Sequence, residues 1–110
     1  MTDRKLLVFT DFYSAKVGPS QLLVEQGDLI KIKADNAVVQ VFLPDPSAFE
    51  QGGGNTDPSS GKIPISQGTT CSFQVKATAA PGHYPYSVYC CSGGVKGFAK
   101  GNSDPEIIIL

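Results

Sequence analysis

The chain has 110 residues, 41% hydrophobic and 17% charged, which fits one globular domain over residues 1–110 and leaves no room for a second core. Nine basic and ten acidic side chains nearly cancel, to a formal net charge of −1. With the lysines scattered, no nucleic-acid partner is expected. No apolar run reaches the roughly 18–20 residues of a bilayer span, so no membrane partner is expected either.

Twelve Gly and eight Pro supply many turns, which favours short strands over helices. Met1-Thr2-Asp3-Arg4-Lys5 has neither the apolar stretch nor the cleavage site of a secretory leader. Unless a leader has been removed, the expected location is cytoplasmic.

Lys5 to Thr10 reads as the first strand, and Gln21 to Glu25 follows the Gly18-Pro19 turn. In Leu29 to Asp35, Ile30, Ile32 and Ala34 alternate with Lys31, Lys33 and Asp35. That period of two buries one face and wets the other. Val38 to Leu43 is nearly continuous in apolar residues and predicts burial on both faces. Pro44 to Gly61 is rich in Gly, Pro, Ser and Asp and reads as a long loop with one helical turn near Ser47 to Gln51. Such a loop is either a mobile surface excursion or a binding element. Lys62 to Ile65 contains Pro64, which cannot donate to a ladder and predicts an edge strand.

The strongest local pattern runs from Thr69 to Cys91. Cys71, Phe73, Val75 and Ala77 share one face of the first half, and Tyr84, Tyr86, Val88 and Cys90 share one face of the second. Closed symmetrically about Ala80-Pro81-Gly82, a hairpin pairs Ala77 with Tyr84, Val75 with Tyr86, Phe73 with Val88 and Cys71 with Cys90. Glu106 to Leu110 ends the chain as an apolar central strand. Together these segments predict an all-β Greek-key β-sandwich of about seven to eight strands.

Pro81-Gly82, Tyr86-Ser87-Val88-Tyr89-Cys90 and Gly97-Phe98-Ala99-Lys100-Gly101 resemble the signature of the cupredoxin (plastocyanin-like) family. Gly27-Asp28-Leu29-Ile30-Lys31-Ile32 resembles its strand before the first ligand. The likeness covers most of the chain from about Gln21 and implies a single cupredoxin-like domain, with function at the loop end of the sandwich. The departures are at the metal. The family's first copper His falls at Val38-Val39, the second at Gly93, and the axial Met at Val95 or Phe98. Blue copper requires two imidazoles and a thiolate, so the resemblance implies a copper site that has been lost, and no cofactor is expected.

The lone His83 stands seven positions from Cys90, roughly 23 Å along one strand, and is expected as an exposed turn residue. The three cysteines carry the remaining reactive groups. Cys71 and Cys90, if paired across the hairpin, stand about 4.5–5.5 Å apart at Cα, within disulfide range. Three readings stay open for them: buried reduced thiols, a disulfide, or a soft-metal site with Cys91 for Cu(I) or zinc. Nothing in the sequence sets a base beside a nucleophile, so no enzyme is expected. The reading favoured is a binding module. Its candidate contacts to a protein partner or small ligand are Cys91, Ser92, Gly93 and Phe98 after Cys90 and Phe49 in the long loop. The two loops are expected at one end of the sandwich.

Overall fold

The computed structural model describes residues 3–10, 15–18, 21–35, 38–92, 95–98 and 105–110. Those residues form an all-β fold whose strands are β1 (Asp3–Thr10), β2 (Ala15–Gly18), β3 (Gln21–Val24), β4 (Leu29–Ala34), β5 (Val39–Phe42), β6 (Phe49–Glu50), β7 (Lys62–Ile65), β8 (Thr70–Val75), β9 (Gly82–Pro85), β10 (Ser87–Ser92), β11 (Val95–Phe98) and β12 (Glu106–Ile109). They build three sheets, ordered β2-β1-β4-β8-β6, β11-β10-β5-β7 and β3-β12-β9.

One hydrophobic core draws on all three sheets in a sandwich-like arrangement. Ile30, Ile32 and Phe73 enter it from the first sheet, Val39, Val41 and Val88 from the second, and Leu22, Val24, Ile107 and Ile109 from the third. Alternation explains the register. In the antiparallel β4–β8 ladder Ile30 faces Phe73 and Ile32 faces Cys71, all inward, while Lys31 faces Ser72 and Lys33 faces Thr70 on the outer side. A slip of one residue would exchange these two sets. β1 lies parallel to β4, from Asp3 opposite Leu29 to Val8 opposite Ala34.

A buried carboxylate fastens β1 to the turn between β3 and β4. Asp28 is only 4% exposed. It accepts hydrogen bonds at 2.9 Å from Arg4 Nε and from the Glu25 backbone N–H. Gly27, at φ 85°, supplies the left-handed residue this turn needs.

Several expectations hold. The inward set of β4 is Ile30, Ile32 and Ala34, and β7 is an edge strand, as Pro64 required. The apolar end of the chain becomes β12, central in its sheet between β3 and β9.

The hairpin expected between Thr69 and Cys91 does not form. β8 pairs with β4 and β6, β9 pairs with β12, and β10 pairs with β5 and β11. Lys76 to Pro81 is a crossing between sheets, turned by the Ala79 N–H on the Lys76 carbonyl. The inward face Tyr86, Val88 and Cys90 survives, because alternation specifies a face and leaves the partner strand open. Tyr86 is the point at which the chain passes from the sheet of β9 to that of β10, its N–H bonded to the Pro105 carbonyl. Strands that switch sheets make the corners of such sandwiches.

Two smaller corrections follow the same logic. β5 is buried on one face only, with Val39 and Val41 inside and Gln40 and Phe42 half-buried. Pro44 to Gly61 is neither a free excursion nor a bare loop. After a 3₁₀ turn at Pro46–Ala48 it adds β6 and then runs along the edge of β8. The Thr56 N–H donates to the Ser72 carbonyl, and Asn55 Oδ1 accepts from the Ser72 N–H. A sheet edge that would otherwise invite pairing is thereby covered.

Candidate functional site

The aromatic expected at a binding loop is a core residue instead. Phe49 is 2% exposed and meets Phe73 and Tyr84 edge-on, with ring centroids at 5.6 and 5.8 Å. Such aromatic contacts anchor a core, and no partner can reach this ring. The segment that follows Cys90 is also mostly strand: Cys91 and Ser92 of β10 pair with Lys96 and Val95 of β11, and Phe98 pairs with Tyr89. Gly93 lies outside the described residues.

Nor do the two loops leave from one end. In the β5–β10 and β5–β7 ladders Phe42 faces Ser87 and Lys62, whereas Val39 faces Cys90 and Ile65. Pro44 and Gly61 therefore stand at the Ser87 end, opposite the Ser92 end of β10 that pairs with Val95 of β11.

The cysteines are separated in the same way. Cys71 sits opposite Ile32 in the first sheet, and Cys90 lies between Val39 and Gly97 in the second. Both are buried free thiols, so they are not the cross-strand pair that the hairpin required. Burial pushes the Cys71 thiol up to about 11 and raises that of Cys90 as well. Such thiols stay protonated at neutral pH and are poor nucleophiles and poor ligands until they lose the proton. Among the described residues no group of three or more His, Cys, Asp or Glu side chains is placed to hold a metal ion.

His83 is exposed, as expected, but it lies on β9 rather than in a turn. Its Nδ1 is 3.1 Å from Glu106 Oε2, and Gln21 Nε2 donates to the other oxygen of that carboxylate at 2.9 Å. This polar row ties together the outer side of β3, β12 and β9.

One set of side chains converges on open space at the outer face of the first sheet. Lys5 of β1, Lys31 and Lys33 of β4, Thr70 and Ser72 of β8, and Asn55 of the covering loop line a groove of about 430 Å³. The ladders explain the clustering: Lys5 is opposite Lys31, Lys31 opposite Ser72, and Lys33 opposite Thr70. Three cationic side chains thus line one groove from two adjacent strands.

Asn55 is fixed in the far wall. Its N–H donates to Ser72 Oγ at 3.0 Å and its Nδ2 to the Thr70 carbonyl at 3.2 Å. Its Oδ1 accepts from the Ser72 N–H at 2.8 Å and from Thr56 Oγ1 at 2.7 Å. Gly54 lets the loop come this close, since a Cβ there would stand 2.2 Å from the Ser72 carbonyl oxygen.

No protein-family model matches this sequence, and no curated protein matches it. Geometry therefore carries the functional reading. The alternation of β4 had already put Lys31 and Lys33 on one wet face. Lys5 could not be added from sequence, because nothing local announces a parallel pairing between β1 and β4.

Proposed function

We propose that this chain is a non-enzymatic binding module on a Greek-key, cupredoxin-like sandwich without a blue-copper site, and that it binds an oxyanion in the lysine groove. The observation that carries the reading is the convergence of Lys5, Lys31 and Lys33 beside two hydroxyl side chains in one concavity. Like charges set opposite one another in a ladder cost stability. Cations grouped in a groove beside hydroxyl side chains suit a ligand of opposite charge.

The ammonium groups supply charge and donors to the anion, and the Thr70 and Ser72 hydroxyls stand across the groove from them on β8. The groove is half-open, so electrostatic attraction stays partly screened and a single small anion binds weakly. Soft-metal binding through Cys71, Cys90 and Cys91 is the less supported alternative, because Cys71 and Cys90 belong to different sheets.

Calorimetric titration with inorganic pyrophosphate at constant ionic strength tests the proposal. Saturable binding that weakens several-fold in Lys33→Gln supports it. No heat beyond dilution, with the fold intact, overturns it.

A further inference from the structure

The groove has two unlike walls. One, from β1 and β4, is cationic: Lys5, Lys31 and Lys33. The other, from β8 and the loop along its edge, is neutral and hydrogen-bonding: Thr70, Ser72 and Asn55. The walls are joined rung by rung, with Lys33 beside Thr70 and Lys31 beside Ser72. At a strand spacing of about 4.8 Å, three strands make the floor roughly 10 Å wide.

At about 430 Å³ the space falls in the range of small-molecule sites, roughly 300–1,000 Å³. A lone tetrahedral oxyanion against the lysines would leave the β8 wall untouched. The hydroxyls on that wall are set for neutral partners. Ser72 Oγ accepts the Asn55 N–H, which leaves its own proton to be donated into the groove, and the exposed Thr70 hydroxyl can donate or accept. Asn55 has its amide and side chain committed to β8 and Thr56, so it acts as a positioning residue.

Resting on the oxyanion-binding reading above, we infer that the groove takes a soluble polyol phosphate, a sugar phosphate in the simplest case. The phosphate lies on Lys5, Lys31 and Lys33, and the sugar hydroxyls lie against Thr70 and Ser72.

The test compares glucose 6-phosphate with methyl phosphate, which carries the same charged group without the polyol. The full chain is titrated with each by calorimetry at constant ionic strength, beside inorganic pyrophosphate. The expected result is tighter binding of the sugar phosphate by about fivefold or more, the contribution of one or two added hydrogen bonds. Thr70→Val, whose fold is checked by its thermal transition, removes that advantage and leaves methyl phosphate unchanged. Lys33→Gln weakens both ligands. Equal affinities for the two esters overturn the inference while leaving oxyanion binding in place. Failure of all three anions overturns both. Sedimentation with vesicles bearing phosphorylated inositol headgroups, without binding of soluble inositol phosphate, overturns the soluble ligand in favour of a membrane headgroup.

Discussion

Lys5 and Lys31 stand opposite each other in the parallel β1–β4 ladder, and both line the same groove on the outer face of the sheet. Neighbouring cations in a ladder repel, and the repulsion is relieved by salt or by a bound anion. Without ligand, Lys5→Gln is therefore expected to stabilise the fold by a few tenths of a kcal/mol at low ionic strength. The gain shrinks as salt is added. Urea denaturation of both proteins at low and at high salt measures it, and a variant less stable at low salt would argue against repulsion.

Arg4 holds the buried carboxylate of Asp28 at 2.9 Å, with about a third of its own side chain exposed. Arg4→Ala takes the guanidinium from a carboxylate that stays buried, and is expected to cost about 1–3 kcal/mol. Adding Asp28→Asn in the same chain recovers part of the loss, since no charge is then left in the interior. Chemical denaturation of both single variants and the double variant measures the coupling.

The Cys71 thiol has its native pKa pushed up to about 11 from an ordinary value of 9.0, chiefly by burial. Between those values the unfolded chain has given up this proton and the native chain has not. Stability from this group is therefore complete below about pH 9 and is lost as pH rises toward 11, by on the order of 2 kcal/mol. Denaturation at pH 8 and pH 10.5 should show the loss, and the loss should be smaller in Cys71→Ala. At neutral pH, alkylating reagents should label Cys71 and Cys90 only as fast as the fold opens.

The covering loop depends on the close approach of Gly54 to Ser72. Gly54→Ala places a methyl where the Ser72 carbonyl oxygen stands, so the loop must lift from β8. Faster amide exchange is expected at Thr56 and Ser72, whose N–H groups bond across this contact, with exchange at Ile32 and Phe73 little changed. Unchanged protection at Thr56 would show that the loop absorbs the methyl in place.

How much of this was readable beforehand follows from which interactions are local. The inward triplet Ile30, Ile32 and Ala34 and the edge position of Pro64 depend on a residue's own neighbours, and both were visible. Partner strands are set by the whole chain. The apolar face of β8 suits β4 as well as it suits β10, so alternation alone put Cys71 beside Cys90 when its true neighbour is Ile32. Phe49 lay hidden in a segment whose Gly, Pro and Asp content reads as solvent-exposed. Its burial comes from packing on Phe73 and Tyr84. The groove was half-visible, through Lys31 and Lys33. Lys5 and Asn55 join it only through pairings far apart in sequence, which place this groove on a sheet face and not at the loop ends.

The most direct test of oxyanion binding is a nuclear magnetic resonance titration of the ¹⁵N-labelled chain with inorganic phosphate at constant ionic strength. Saturable shifts confined to the groove, largest at the amides of Lys5, Lys31 and Lys33, and lost in Lys33→Gln, are the predicted result. Shifts that fail to saturate, or that gather at Ser92 and Val95 while the groove stays silent, would contradict it.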